Sequence, residues 1–162
     1  MSEQQKSKSE TEQAWEAAPD LVAAQTQELA RRFYKKGELG RAEEVLGKLI
    51  KMRPAMSWAH ALLGVVYRRQ GRLLKALESL QRAAEIDNTD RNTLVNLGEC
   101  LVLAGKVPEG VDVLRAVFEM GYDPEKAPEE HDMLTRRAGA QLEVIQRAAR
   151  KVEADLRAKL EG

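Results

Sequence analysis

Apolar and small residues recur along this chain in a fixed register of 34 positions, without insertion or deletion. Gly37, Gly71 and Gly105 fall in that register. So do Leu29, Leu63 and Leu97, each followed by a small residue: Ala30, Gly64 and Gly98. Further along each unit come Phe33, Tyr67 and Leu101, then Ala42, Ala76 and Gly110. Leu46, Leu80 and Leu114 follow, and then Leu49, Ala83 and Val117. Within a unit these landmarks step at helical intervals on either side of the glycine. Each unit therefore predicts a helix, a short turn and a second helix, the glycine supplying the backbone conformation that ends the first helix. The small residue lets the two helices approach closely. One such pair cannot bury its apolar stripe alone, so the units must stack.

The pattern resembles the tetratricopeptide repeat, with units 23–56, 57–90 and 91–124. The resemblance implies an all-α right-handed solenoid. Thr26, His60 and Leu94 stand where that repeat often has tryptophan, and of the prolines near unit ends only Pro54 is kept. Pro108 and Gly110 predict that the second helix of unit three is the weakest. Ser57 reads as the N-cap of its helix, and Asp87 and Asp90 as turn and capping residues.

The flanks follow a different pattern. Residues 1–22 form a polar N-terminal segment with a short helix expected around Trp15, ending before Pro19. Trp15 packs on unit one or serves a subunit contact, and both readings stay open. Residues 125–162 form a linker and a C-terminal capping helix, whose start is expected at Pro128-Glu129-Glu130. From Leu134 through Ala138, Leu142, Ile145, Ala149 and Val152 to Leu156, apolar residues step by three or four along a single stripe.

Composition narrows the function classes. The 162 residues carry 26 Lys plus Arg and 26 Asp plus Glu, so no basic surplus points to nucleic acid. No apolar run reaches the length of a membrane span, and the polar first residues do not read as a secretory signal. The single cysteine, Cys100, excludes an intramolecular disulfide and reads as a buried small hydrophobe. A cytoplasmic location is expected. His60 and His131 are far apart and read as structural. No zinc spacing, phosphate loop or nucleophile elbow is present, so no enzyme, metal or cofactor is expected.

What remains is binding to protein. The first helices of such units line the concave side of the stack. Their face away from the second helices carries Tyr34 in unit one, Trp58, Ala61, Val65 and Arg68 in unit two, and Val95, Glu99 and Val102 in unit three. These residues are the candidate peptide-binding groove for an extended client segment. The Lys/Asn clamp by which some repeat proteins hold the carboxylate of heat-shock chaperones is missing: the matching positions hold Gln27, Arg31, Ala61 and Leu62.

A narrower resemblance rests on Asn96-Leu97-Gly98-Glu99-Cys100-Leu101 with Gly105, and on Pro128-Glu129-Glu130-His131 with Leu134 and Arg137-Ala138. These segments, and the layout of three repeats plus one last helix, resemble the class II chaperones of bacterial type III secretion, the LcrH/SycD family. That resemblance implies a cytosolic chaperone that holds a translocator client in its groove before export, and a homodimer formed through the N-terminal region. The alternative is a general repeat adaptor in a bacterial protein complex.

Overall fold

A computed structural model describes residues 13–14 and 17–161; Trp15 lies outside them. Seven helices run through the described residues, with no strand. They are α1 (Pro19–Lys36), α2 (Leu39–Met52), α3 (Ser57–Arg69), α4 (Leu73–Ile86), α5 (Arg91–Leu103), α6 (Val107–Gly121) and α7 (Met133–Glu161). A single 3-10 turn, Pro128–Glu130, precedes α7. The helices pair as α1–α2, α3–α4 and α5–α6, and α7 packs on the last pair. The described chain is an all-α stack of three helix-turn-helix repeats closed by a long C-terminal helix, the architecture that the resemblance to the tetratricopeptide repeat implies.

The three register glycines have φ of 79°, 76° and 80°, in the left-handed region where a side chain is strained. They end α1 and follow α3 and α5 closely, and the chain turns straight into the second helix. The small landmarks set how near the helices come. A methyl group on Gly64 would stand 2.6 Å from Leu80 Cγ, and one on Gly98 2.8 Å from Leu114 Cγ. Leu46, Leu80 and Leu114, one from each second helix, are fully buried beneath these crossings. Cys100 is buried as expected, and burial pushes its thiol up despite the neighbouring Arg68.

Four local readings are corrected or refined. Pro108 does not interrupt α6, because it stands in the first turn, where no backbone N–H needs a helical partner. Ser57 is the first residue of α3 rather than its cap; Met56 holds the capping position with extended backbone and no side-chain bond. Asp90 does cap α5, accepting from Asn92 N at 3.1 Å and from Thr93 Oγ1 at 2.5 Å. The Pro128 start yields only the 3-10 turn; α7 begins after Asp132, whose Oδ1 accepts from the Leu134 and Thr135 backbone N–H at 2.9 and 3.0 Å.

Asp132 also fixes where α7 lies. Arg91 Nη1, at the start of α5, donates to its Oδ2 at 3.0 Å, and Arg91 Nη2 donates to Thr135 Oγ1 at 2.6 Å. The Arg91 hydrogen bond, helped by Thr135, holds the Asp132 carboxyl well below its ordinary range. His131 is buried beside this joint: its Nε2 accepts from Asp123 N at 3.1 Å, and its ring stacks on Tyr122, which stacks on Phe118.

Candidate functional site

The concave face is built by α1, α3 and α5. At its centre α3 presents Trp58, Ala61, Leu62 and Val65 on successive turns, all half-buried. Gln27 and Arg31 reach in from α1, and Asn92, Thr93 and Asn96 from α5. Together they line a cleft of about 110 Å³. Its floor is apolar, and its rims carry amides, one guanidinium and the Asp90 carboxylate, which accepts from the Thr93 hydroxyl. That chemistry suits an extended peptide: apolar pockets for side chains, and amide groups that can pair with its main chain.

Three of the sequence-predicted residues, Trp58, Ala61 and Val65, are thus brought together. The other five are placed differently. Tyr34 is half-buried against the unit-one core, with the Arg69 guanidinium 4.9 Å over its ring; Arg69 Nη1 also donates to the Tyr34 carbonyl at 2.7 Å. Val95 is fully buried among Leu114, Val117 and Ala138. It is therefore removed from the groove: α7 packs over that end of α5 and covers it. Val102 packs on the same cluster, and a methyl on Gly110 would stand 2.6 Å from its Cγ2. It is a helix-packing residue, so its assignment to the groove is corrected as well.

Arg68 and Glu99 are half-buried and already engaged. Arg68 Nη1 donates to Glu99 Oε2 at 2.6 Å. From α7, Arg137 Nε donates to Glu99 Oε1 at 2.7 Å and Arg137 Nη2 to Glu99 Oε2 at 2.5 Å. Arg137 Nη2 also donates to Asn96 Oδ1 at 3.1 Å. One carboxylate therefore joins unit two, unit three and the final helix. Burial would raise the Glu99 carboxyl, but the bonds from Arg137 and Arg68 outweigh it, and the group is held below the usual carboxylate range.

Sequence reasoning missed Arg137 as a groove residue, and also Thr93 and Asn96. Arg137 lies 38 residues from Glu99 in the chain, and nothing local marks the pair. Asn96 had a local signal: it lies four residues past Asn92, whose carbonyl accepts its Nδ2 at 2.9 Å, and so shares its helix face. Among the described residues, no group of three or more His, Cys, Asp or Glu could hold a metal ion. Nor is any described helix long and apolar enough to cross a membrane.

Comparison with known proteins agrees with this architecture. The family model for the tetratricopeptide repeat matches residues 28–91. No curated protein matches the chain by sequence. The fold is similar to that of the type III secretion chaperone SycD of Yersinia enterocolitica in complex with a peptide of the translocator YopD. The identity is 23%, 79% of this chain and 95% of that one are covered, and the TM-score is 0.67. It is similar to PcrH of Pseudomonas aeruginosa, also solved with the chaperone-binding region of PopD: 24% identity, 80% and 93% covered, TM-score 0.65. It is also similar to the second such domain of human RPAP3 in complex with an HSP70 peptide: 19% identity, 79% and 98% covered, TM-score 0.65. The tetratricopeptide match is thus confined to residues 28–91, and the fold is similar both to translocator chaperones and to a human tetratricopeptide domain in complex with a peptide.

Proposed function

We propose that this protein is a cytosolic chaperone that holds an extended segment of a type III secretion translocator in its concave cleft until export. The observation that carries the reading is the cleft with an apolar floor at Trp58, Ala61 and Val65 and polar rims that include Gln27 and Asn92. It lies on the concave side of a fold shared with two translocator chaperones. Apolar client side chains would seat on the Ala61–Val65 floor beside the Trp58 ring. The Gln27 and Asn92 amides would pair with the client backbone, as an unpaired main chain in a dry groove would be costly. Arg31 would favour an acidic residue on the unit-one side. Covering the client's apolar positions would keep them from aggregating.

The test is binding of the purified chain to an overlapping peptide array. The array covers the membrane-active proteins encoded beside its gene. The expected result is one short apolar stretch bound by the wild type. Trp58→Ala should weaken that binding at least tenfold, since truncating such an anchor costs about 2 kcal/mol or more. Ala61→Glu should abolish it by placing an unpaired charge on the floor. Normal binding by both folded variants would overturn the reading.

A general adaptor role is the second reading, favoured by a fold likeness of the same TM-score to the human peptide-bound domain. Capture of peptides from outside the secretion apparatus, with none from translocators, would establish it instead.

A further inference from the structure

The start of α7 repeats the start of α5, with Asp132 at the place of Asp90. Each aspartate caps its helix. Each accepts from the backbone N–H two residues on and from a buried threonine hydroxyl, Thr135 or Thr93. The same alignment puts Gly139 at the place of Leu63 and Leu97, which pack toward the second helix of the preceding unit. Gly139 does likewise: a methyl on it would stand 3.0 Å from Phe118 Cε2 of α6. Ala140 then takes the place of Ala30, Gly64 and Gly98, where each unit's own second helix crosses its first. In this sense α7 is the first helix of a further unit, whose second helix the described residues do not supply. At the place of Gly71 and Gly105 it has Arg147, and it runs on unbroken to Glu161, away from the crossing. Ala30 is fully buried in the cluster that holds Leu46, whereas Ala140 is exposed.

A cavity of about 630 Å³ lies at this uncovered crossing, between Phe118 and Tyr122 of α6 and Arg136, Gly139, Ala140 and Glu143 of α7. Unit two has a smaller cavity, about 310 Å³, at the same place. There Ile50 stands for Phe118, His60 for Arg136, Leu63 for Gly139 and Tyr67 for Glu143, and α4 closes one side with Lys75 and Arg82. A plain cap would turn a polar outer face to solvent; here small residues and an aromatic wall face it instead. The unit-two cavity also shows which charges an incoming helix would meet. Lys75 Nζ lies 5.7 Å from the centre of the Tyr67 ring, so a residue at its place would come over Glu143. The two helices of a unit run antiparallel, so Arg82, about two turns on, lies toward the end held by His60 in unit two and by Arg136 here. Glu143 uses only Oε1, on Arg147 of its own helix. Arg136 is exposed, with no ion-pair partner among the described residues. The linker adds Lys126 and Glu129, one charge of each sign, and His131 is already held by the Asp123 backbone. A fitting helix therefore carries a basic residue, then a small one, leucine four places later and an acidic residue two places after that. In α4 these places hold Lys75, Ala76, Leu80 and Arg82, and only Arg82 would meet a like charge.

We propose that the face of α7 at Arg136, Ala140 and Glu143, with the Phe118–Tyr122 wall, docks one amphipathic helix of a partner protein. That helix has the pattern just given, runs antiparallel to α7 and completes a further repeat. Its small residue and its leucine both meet Ala140, as Ala76 and Leu80 both lie against Gly64 in unit two. The site shares no residue with the concave cleft, so its occupancy does not depend on what the cleft binds. A single short helix buries less than a standard interface and is ordered only on binding, so Kd is on the order of 100 µM.

Two labelled peptides of equal net charge test this, by fluorescence anisotropy with the full chain up to about 1 mM. Both have the α4 sequence, Leu73–Ile86. One carries Arg82→Glu and so has the fitting charges; the other carries Lys75→Glu and has them reversed. The wild type should bind the first at least about fivefold more tightly than the second, since two exposed charge pairs change sign. The double variant Arg136→Glu/Glu143→Lys should reverse that preference. Ala140→Arg, at an exposed position, should abolish binding with the melting temperature unchanged. Ala61→Glu, which blocks only the cleft, should leave it intact. No binding by the wild type would overturn the proposal, as would binding that survives Ala140→Arg or is lost in Ala61→Glu. Sedimentation equilibrium of the chain alone covers the other occupant: a dimer that Ala140→Arg breaks would give the site to a second copy and overturn the partner reading.

Discussion

The two ends of the concave face are built from equivalent helix positions and end up in opposite states. Position for position, Ala61 of α3 corresponds to Val95 of α5, Val65 to Glu99, and Arg68 to Val102. On the α3 side Ala61 and Val65 stay half-open in the cleft, while Arg68 reaches across to Glu99. On the α5 side Val95 is buried, Glu99 is gripped by two arginines, and Val102 is packed. The difference comes from α7, which lies against α5 and supplies both the cover for Val95 and the Arg137 guanidinium. In a repeat stack, a residue's role is thus set by what lies beside its unit as much as by its place in the repeat. The groove is an open half bounded by a closed half, and the boundary is the Arg68–Glu99–Arg137 bridge.

The strongest way to break this contrast is to lift α7 off. Ala138 is fully buried on the face that meets Val95, Leu114 and Val117. Ala138→Asp would bury an unpaired carboxylate there, at a cost of about 4 kcal/mol. Urea denaturation should show the loss. Native-state hydrogen exchange should place it in α5, α6 and α7, with α1 to α3 protected as before. A uniform rise in exchange across all helices would mean that the two halves do not differ in this way.

A second substitution pair sharpens the contrast. Trp58→Ala on the open side should lower peptide affinity at least tenfold, about 2 kcal/mol, with a smaller change in stability. Val95→Ala on the closed side should do the reverse, costing roughly 1–2 kcal/mol of stability through lost packing and leaving affinity near wild type. Isothermal titration calorimetry and thermal melts of both variants read the two axes. Equal effects on affinity would return Val95 to the groove.

The sequence carried the repeat plainly because its landmarks are local and periodic. Gly71 between Leu63 and Leu80 dictates a turn and a crossing whatever else the chain does. Trp58, Ala61 and Val65 were legible for the same reason: their side of α3 follows from helix geometry alone. Val95 and Glu99 were not, although the same geometry picked them. Their fate depends on where a helix more than 35 residues away comes to rest, which repeat spacing does not encode. The start of α7 shows a smaller version of this. Pro128 and Asp132 are both helix-start signals, and only the contact of Asp132 with Arg91 selects the second.

The bridge itself is the next target. Glu99→Gln keeps the shape but replaces charge-assisted bonds to two arginines by neutral ones, in a site that is mostly shielded from solvent. The expected cost is about 1–2 kcal/mol. If the bridge couples the units, the double variant Glu99→Gln/Arg137→Gln should cost clearly less than the sum of the two singles. Additive losses would mean that Arg137 contributes to stability without acting through Glu99.

The smallest effect concerns pH, and its sign follows from the direction of the shift. Burial opposes ionisation of Glu99, yet Arg137 and Arg68 hold its carboxyl below the ordinary glutamate value in the folded chain. A carboxyl depressed on folding stabilises the fold above its unfolded pKa, about 4.3, and that contribution fades as the pH falls through the folded value. The wild type should therefore lose little from this group between pH 7 and pH 5, and progressively more below about 4.3. Asp132, depressed chiefly by its hydrogen bond from Arg91, has the same sign, its contribution fading below its own unfolded value of about 3.9, so both ties that seat α7 weaken in acid. The discriminating measurement compares urea midpoints of wild type and Glu99→Gln at pH 7, 5 and 3. The gap between them should be full at the first two and shrink at the last, because a protonated Glu99 and the amide that replaces it are alike in charge. A gap that stays constant to pH 3 would show that the carboxylate charge is not what holds the closed half shut.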